Sequence, residues 1–253
     1  MLKELMFKNF ITKIAVEAGG ILREKFGKIR GIKFKDKFGD PVTEADYASE
    51  KHIISAIRKK FPTHNILSEE DGNHNRQSDY LWIIDPLDGT SNFTMDIPFF
   101  CVSIAVARKN KILAGVIYDP IHSELFFAEK GNGASLNGKK IAISNVSKSR
   151  LSRVMMAWNG INAKTLDVLK MFSDNGFAKV RAIGSAALGL AYVAAGRGDA
   201  YMSLGCKLWD VAAGVIIISE AGAKISDISG KKWDFQSSTL VAANKILHSK
   251  ITK

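Results

Sequence analysis

The sequence predicts an α/β fold of layered helices and sheets, organised in two halves. Two amphipathic helices come first, short β-rich runs fill the middle third, and helices alternate with strands after about residue 150. The chain has 253 residues, of which 46% are hydrophobic and 24% charged, and this composition provides a sizeable buried core. We place the boundary between the halves so that they comprise residues 1–148 and 149–253, and we expect a cleft between them.

Each predicted element follows from a local pattern. Apolar residues recur at helical spacing from Leu2 to Phe26, with Gly27 as a C-terminal cap, and a second helix extends from its N-cap, Thr43, to Phe61. Turn signals separate the β-rich runs of the middle third, which are 66–67, 81–84, 99–107, 112–118 and 125–128. The last third has predicted helices near 163–172, 185–195 and 209–221, and predicted strands near 200–202, 224–226 and 239–242.

Composition and charge exclude several classes of protein. The longest apolar runs, 99–107 and 211–218, are much shorter than the roughly 20 residues of a membrane-spanning helix. The N-terminus has no unbroken apolar segment of the secretory type, so we expect a cytoplasmic protein. Cys101 and Cys206 have no Cys or His at metal-ligand spacing and are expected to be reduced structural thiols. The net charge of +11 suggests nucleic-acid contact, but scattered lysines without a run of five favour a solvated surface.

The segment WIIDPLDGTSNF at 82–93 contains the densest group of polar residues. We expect the strand 81–84 to end at Asp85, with Pro86 closing it and the following Asp88-Gly89-Thr90 turning the chain into a helix. Two carboxylates on such a turn can converge on one point, towards which the N–H groups of Gly89 and Thr90 would also point. Hard oxygen ligands beside anion-binding amides indicate Mg²⁺ and phosphate, and a turn capped by Asp side chains is the structural alternative.

Two further acidic segments could complete a metal site. Glu69, Glu70 and Asp71 follow a short strand, and Asp210 lies at a helix start. A solvated loop and an N-cap would explain these segments if each stood alone. Together with the central loop they predict a site with several carboxylate ligands.

Five segments, in this order and spacing, resemble the inositol monophosphatase family, and most closely its bacterial inositol-1-monophosphatase and extragenic suppressor members. The segments are DPVTEAD at 40–46, ILSEE at 66–70, WIIDPLDGTSNF at 82–93, GSAA at 184–187 and WDVAAG at 209–214. The resemblance covers essentially the whole chain. It implies a Mg²⁺-dependent, lithium-sensitive phosphatase with alternating layers of helices and sheets, assembled as a homodimer.

Carried over position by position, the resemblance implies two to three Mg²⁺ ions per site. Glu69, Asp85 and the Leu87 carbonyl would bind a first ion. Asp85, Asp88 and Asp210 would bind a second, and a third would lie near Glu69. Four such carboxylates would repel one another strongly without metal.

The resemblance also implies catalytic roles. Thr90 and Glu69 would orient a metal-activated water for attack on phosphorus. Asp46, held by Thr43 at a helix start, would accept a hydrogen bond from the Thr90 hydroxyl. Lys35 would face the phosphate, and plain surface charge is the alternative for this lysine.

Substrate contacts are expected on both halves. Besides the phosphate contacts of Asp88, Gly89 and Thr90, the resemblance implies contacts of Ser185 and Ala186 with the alcohol, and Ser203 is a further candidate substrate contact. Ser203 lies seven residues before Asp210, where the family commonly has a Glu that binds two ring hydroxyls. Because Ser makes only one short contact, inositol-1-phosphate and other polyol or sugar phosphates are both candidate substrates.

Two alternatives stay open at the level of sequence. The first is an accessory protein of the RNA or transcription machinery, with nucleic acid or RNA polymerase as its partner. The second is a fructose-1,6-bisphosphatase or 3′-phosphoadenosine nucleotidase, because these enzymes share the metal motifs.

Overall fold

Helices and sheets alternate in five layers. The structure is a computed structural model, and it describes residues 2–28, 32–34, 41–158 and 160–252. The helices in these ranges are α1 (Leu2–Lys25), α2 (Glu44–Lys60), α3 (Thr90–Thr94), α4 (Ala163–Asp174), α5 (Ala186–Ala194), α6 (Leu208–Glu220) and α7 (Lys245–Ile251), with a 3-10 turn at Ser149–Leu151.

A large sheet occupies the centre of the molecule, preceded by the two-stranded ribbon β1 (Lys33–Phe34) and β2 (Pro41–Val42). Its eight strands are β3 (Asn65–Ser68), β4 (Gly72–His74), β5 (Tyr80–Asp88), β6 (Cys101–Arg108), β7 (Lys111–Asp119), β8 (Glu124–Glu129), β9 (Ala134–Leu136) and β10 (Lys139–Ile141). They lie in the order β10-β9-β8-β7-β6-β5-β3-β4. Neighbouring strands are antiparallel except β3 and β5, which are parallel.

A second sheet has five strands. They are β11 (Arg153–Trp158), β12 (Lys179–Ala182), β13 (Ala200–Leu204), β14 (Lys224–Ser226) and β15 (Thr239–Ala243), in the order β12-β11-β13-β15-β14. β11 is parallel to both of its neighbours, whereas β15 is antiparallel to both of its own.

Both faces of the large sheet are covered, which explains why its central strands are nearly continuous apolar runs. α1 and α2 pack on one face, around Trp82 and Ile84. α5 and α6 pack on the other, around Ile83 and Ala105, and they also contact the second sheet. The far face of the second sheet is covered by residues of α4 and α7.

Most predicted elements are confirmed. Gly27, with φ of 73°, follows α1, and Thr43 is the N-cap of α2. All five strands of the middle third and all three helices of the last third are present, although β6 begins at Cys101 rather than Phe99. The sequence pattern missed one helix and seven strands, most of them short, namely α7, β1, β2, β4, β9, β10, β11 and β12. Of these, β12 and α7 carry mixed polar and apolar residues.

The prediction that the central strand ends at Asp85 with Pro86 closing it is wrong. β5 continues to Asp88, and its pairing with β6 shifts register between Asp85 and Asp88. Pro86 has no N–H to donate to a β-ladder, and the irregularity accommodates it within the strand. Both aspartates are therefore fixed by sheet pairing, Asp85 opposite Ser103 and Asp88 opposite Cys101.

The predicted boundary between residues 148 and 149 stays a prediction. The large sheet is built from residues before it and the second sheet from residues after it. Among the described residues, no helix is long and apolar enough to cross a membrane.

Adjacent glycines in α1 provide a matched test of how this helix packs. A Cβ on Gly19 would lie 2.4 Å from Cδ1 of Tyr118, whereas a Cβ on Gly20 would meet no heavy atom of the described residues within 4 Å. We therefore expect Gly19→Ala to lower the free energy of unfolding by about 1–3 kcal/mol through overpacking. Gly20→Ala should raise it by about 0.5–1 kcal/mol, because Ala favours the helix. Urea unfolding measures both values, and a Gly19→Ala variant at least as stable as the wild type would contradict this packing.

Candidate active site

The centre of the candidate site is the irregular end of β5. Asp85 is 2% exposed, and its Oδ1 accepts a hydrogen bond of 3.1 Å from the Leu87 N–H. Burial raises the pKa of Asp85 well above its usual range, and the charges of Glu69, Asp88 and Asp210 raise it further. Four acidic side chains from three segments of the sequence therefore share one electrostatic environment, as the motifs predicted.

Glu69 reaches this environment from the turn after β3. Its N–H donates to the Ile84 carbonyl at 3.2 Å, which extends the pairing of β3 with β5 by one residue. A hydrogen bond between the Glu69 and Asp85 carboxyl groups contributes to the raised pKa of Asp85. Such a bond requires a proton between two acids that would otherwise repel each other.

The N-terminus of α5 binds the carboxylate of Asp88. Asp88 Oδ2 accepts hydrogen bonds from the Ser185 hydroxyl and, at 2.8 Å, from the Ala187 N–H, while Oδ1 accepts from the Ala186 N–H at 3.1 Å. The Cys101 Sγ lies 3.7 Å from Oδ2. These bonds lower the pKa of Asp88, but burial outweighs them and the net shift is upward. Ser185 and Ala186, which were predicted to contact the alcohol, thus contact Asp88.

Two glycines allow the loops of the two halves to touch. Gly89, with φ of 95°, is the N-cap of α3, and a Cβ there would lie 3.0 Å from the Phe99 carbonyl and 3.3 Å from the Gly184 carbonyl. Gly184, with φ of 76°, passes so close to Asn92 that a Cβ would be 2.6 Å from its side chain. Asn92 Nδ2 donates to the carbonyls of Phe99 and Ile183, each at 2.8 Å. Asn92 therefore joins α3 to the loop before β6 and to the segment that leads into α5.

Asp210 comes from the first turn of α6. Its Oδ2 accepts a 2.7 Å hydrogen bond from the Lys207 N–H, so it caps the helix from the third helical position rather than as the N-cap. Burial raises the pKa of Asp210 to about 7, and the charges of Asp88 and Glu69 add to this effect.

A series of side-chain hydrogen bonds links α2 to α3. Asp46 Oδ2 accepts hydrogen bonds from the Thr43 N–H at 2.8 Å and the Thr43 hydroxyl at 2.7 Å. The Thr90 hydroxyl lies 3.1 Å from Asp46 Oδ1 and 2.9 Å from the Leu87 carbonyl. The hydrogen bond that the resemblance implied from Thr90 to Asp46 is therefore present, in competition with the Leu87 carbonyl.

The oxygen ligands of the site fit a divalent cation, although the described side chains do not already surround a single metal position. Carboxylate and carbonyl oxygens are the ligands that Mg²⁺ prefers. The buried Ser103 hydroxyl, opposite Asp85, has no hydrogen-bond partner among the described residues, and a hydrated ion beside Asp85 would supply one. No three His, Cys, Asp or Glu side chains in the described part of the chain are arranged so that they could already hold a metal ion. Protein donors occupy both oxygens of Asp88 and one of Asp210.

Ser203 lies in a buried polar cluster of the second half. It is 2% exposed on β13, and its hydroxyl interacts with the Cys206 thiol, whose pKa burial raises to about 11. The Tyr201 hydroxyl is buried without a hydrogen-bond partner of good geometry among the described residues. Burial raises the pKa of Tyr201 well above its usual range, and the charges of Asp88 and Asp210 contribute. This cluster therefore lies close to the acidic group.

The structure brings Glu69, Asp85, Asp88 and Asp210 into one electrostatic environment, and Ser185 and Ala186 bind Asp88 directly. Ser203 adjoins this group through Tyr201 and Cys206. Asp71, from the same turn as Glu69, instead pairs its carboxylate with His74. Lys35 lies outside the described residues, as does Asp40 of the first motif. Sequence reasoning missed Asn92, Ser49 and Glu50. The signal for the last two was the run of polar residues at 46, 49 and 50 on a helix face that is otherwise buried and apolar.

The variant Asp210→Asn tests the repulsion within the acidic group. The pKa of Asp210 is about 7 in the folded chain and about 3.9 in an unfolded one. The folded chain binds more protons between these values, so this residue destabilises it as the pH rises from about 4 to about 7. Asn keeps the oxygen that accepts from Lys207 but does not titrate. In metal-free buffer, the melting temperature of Asp210→Asn relative to the wild type should increase through this window, and a constant difference would contradict the shift.

Comparison with known proteins gives one family. Residues 5–253 match the Inositol monophosphatase family. The Nus factor SuhB of Pasteurella multocida is 39% identical over 241 residues, which cover 93% of this chain and 90% of that protein. The fructose-1,6-bisphosphatase/inositol-1-monophosphatase of Thermotoga maritima is 35% identical, with coverage of 97% and 94%.

The fold agrees with this match. The crystal structure of the extragenic suppressor protein suhB from Bartonella henselae superposes with a TM-score of 0.92 at 34% identity, over 98% of this chain and 97% of that one. The layered α/β architecture predicted from the sequence is thus the architecture of this group of proteins. The chain belongs to the inositol monophosphatase family.

Proposed function

We propose that this chain is a Mg²⁺-dependent phosphomonoesterase that hydrolyses inositol-1-phosphate or related polyol and sugar phosphates. The observation that supports it best is the electrostatic coupling of Asp85 with Glu69, Asp88 and Asp210 at the N-terminus of α3. A group of acids of which Asp85 and Asp88 are buried, beside helix amides, favours cations together with an anionic substrate.

Glu69, Asp85 and the Leu87 carbonyl would hold one ion, and Asp85, Asp88 and Asp210 a second. Bound Mg²⁺ would polarise the phosphoryl group and lower the pKa of a coordinated water. Occupancy requires ionised carboxylates, so a bound ion would offset the burial and the neighbouring charges that raise the pKa of Asp85. Two or three ions per site are consistent with this set of ligands.

Proton handling would depend on Thr90 and Asp46. When the Thr90 hydroxyl donates to Asp46 Oδ1, its lone pairs are free to accept a proton from the attacking water. Thr43 holds the other carboxylate oxygen of Asp46 through two hydrogen bonds, so the acceptor is fixed in direction. Glu69 would orient the same water from the opposite loop.

Substrate contacts would be divided between the halves. The amides of Gly89 and Thr90 would contact the phosphate, with Lys35 facing it. Ser185 and Ala186 would contribute on the alcohol side partly through Asp88, because both donate hydrogen bonds to that carboxylate. Fructose-1,6-bisphosphate and 3′-phosphoadenosine nucleotides are the rival substrates.

A Mg²⁺-dependent phosphatase panel with the variant Asp85→Asn tests the proposal. We expect the wild type to release phosphate only when Mg²⁺ is present, and chelation to abolish turnover reversibly. Asp85→Asn should be inactive yet at least as stable as the wild type in metal-free buffer, because it removes a buried charge from the acidic group. Phosphatase activity retained by the variant would contradict the assignment of Asp85.

The variant Ser203→Glu tests substrate choice. The wild type should discriminate little between inositol-1-phosphate and glycerol phosphate, because Ser203 carries no charge. A Glu could accept from ring hydroxyls, and the Tyr201 hydroxyl is available to orient it. One charge-assisted hydrogen bond is worth about 1.5–3 kcal/mol, so the ratio of specificity constants should shift roughly 10- to 150-fold towards inositol-1-phosphate. Steady-state kinetics on both substrates measure this ratio, and an unchanged ratio would mean that selectivity lies elsewhere.

A second candidate function, an accessory role in transcription, is favoured by relatives named Nus factor and by the net charge of +11. RNA retention that falls with salt and persists in Asp85→Asn would support this role, because phosphate contacts weaken as salt rises. The homodimer, the cytoplasmic location and the sensitivity to lithium stay predictions.

A further inference from the structure

One face of α2 carries three buried polar side chains beside the acidic group. Asp46, Ser49 and Glu50 are 0%, 0% and 5% exposed. Residues spaced by three and four positions lie next to each other on a helix, so the three side chains form one continuous strip. The roles considered above involve only Asp46.

Glu50 binds the turn that carries Glu69. A single oxygen, Oε1, accepts hydrogen bonds from the Ser68 hydroxyl, the Glu70 N–H at 3.2 Å and the Asp71 N–H at 3.0 Å. The residues of this turn, 69–71, connect β3 to β4. One carboxylate oxygen thus binds donors on both sides of Glu69.

The backbone of Glu69 is consequently fixed from both directions. Its own N–H is bound to the Ile84 carbonyl, and the next two N–H groups are bound to Glu50. Only the side-chain torsions of Glu69 remain to direct its carboxyl group towards Asp85. Each lost backbone bond would add freedom to the one predicted ligand that lies on a turn rather than on a regular element.

Ser49 makes the equivalent contact with the other loop. Its hydroxyl donates to the Pro86 carbonyl at 2.8 Å, within the irregular end of β5 between Asp85 and Asp88. The same helix face therefore binds the Glu69 turn and the Asp85–Asp88 segment. The relative position of these two segments determines the distance between the Glu69 and Asp85 carboxyl groups.

We propose that Glu50 is a positioning residue, which holds the Glu69 turn against the end of β5 so that Glu69 and Asp85 can bind the same divalent cation. This inference rests on the proposed function. It assigns to Glu50 no contact with metal or substrate, and it requires a hydrogen-bond acceptor at Oε1 rather than a charge.

Direct Mn²⁺ binding by the full chain, followed by electron paramagnetic resonance, tests the proposal with the variants Glu50→Ala and Glu50→Gln. Loss of such an outer partner typically weakens metal binding by about 10–100-fold, and we expect this loss for Glu50→Ala. Glu50→Gln keeps an acceptor oxygen of the same reach and should stay within about 3-fold of the wild type. Glu50→Asp keeps the charge but is too short, and it should weaken binding as Ala does.

A metal-free readout separates positioning from general stability. Hydrogen exchange at the Glu70 and Asp71 amides should be faster in Glu50→Ala and in Glu50→Asp but not in Glu50→Gln. The matched control is Ile53→Ala, one turn along the same helix in the apolar core. It should lower the melting temperature and leave both Mn²⁺ affinity and exchange in the turn unchanged.

The outcomes distinguish the two proposals. Equal Mn²⁺ affinity of the wild type and Glu50→Ala would overturn the role of Glu50 and leave the phosphatase assignment intact. An equal loss in Glu50→Gln and Glu50→Ala would also overturn it, because charge would then be responsible. A wild type that binds no Mn²⁺ would overturn the proposed function and this inference with it. If Glu50→Ala does not fold, Glu50→Asp and Glu50→Gln decide between the same outcomes.

Discussion

The cost of burying several carboxylates near one point governs the arrangement of this molecule. Asp85 is almost fully buried, and each neighbouring acid makes its ionisation less favourable. Such a group is tolerated only when donors surround its members. The N-terminal turns of three helices provide these donors or are capped by the acids: α2 at Asp46, α5 at Asp88 and α6 at Asp210. Helix N-termini are suited to this purpose because their amides lack partners within the helix and carry partial positive charge.

The same constraint couples the site to the packing of the two halves. Asp88 belongs to the large sheet, but its carboxylate is bound by α5, which also contacts the second sheet. An apolar cluster that includes Ile83, Ala187 and Ile217 brings α5 and α6 onto the sheet. Because Gly89 and Gly184 lack a Cβ, the loops that contain them can pack against each other in direct backbone contact. Burial of apolar surface therefore supplies the driving force, and the hydrogen bonds to Asp88 and Asp210 fix the geometry.

Much of this could be predicted from the sequence, because periodicity and turn residues are local signals. The helices α1 and α2, their caps and the apolar strands of the large sheet follow from such signals. The bulge at Pro86 could not be predicted in the same way, since a proline normally ends a central strand and only pairing with β6 shows that β5 continues. The hydrogen-bond partners of Ser185 and Glu50 could not be predicted from the sequence either. They are carboxylates or turn amides distant in the chain, and no spacing within one segment encodes such contacts.

The acidic carboxylates and the surroundings of Ser203 differ in how completely their polar atoms are hydrogen-bonded. The carboxylate oxygens of Asp46 and Asp88 accept from several backbone and hydroxyl donors, so a substitution there disturbs more than one bond at once. The Tyr201 hydroxyl interacts with Ser203 on the same strand, but it is buried without a well-placed partner among the described residues. A change at Ser203 can therefore alter the hydrogen bonds offered to a substrate without removing one that holds the acidic group. Because leaving a buried donor unpaired already costs free energy, the surroundings of Tyr201 tolerate a new acceptor more readily than the acidic group does.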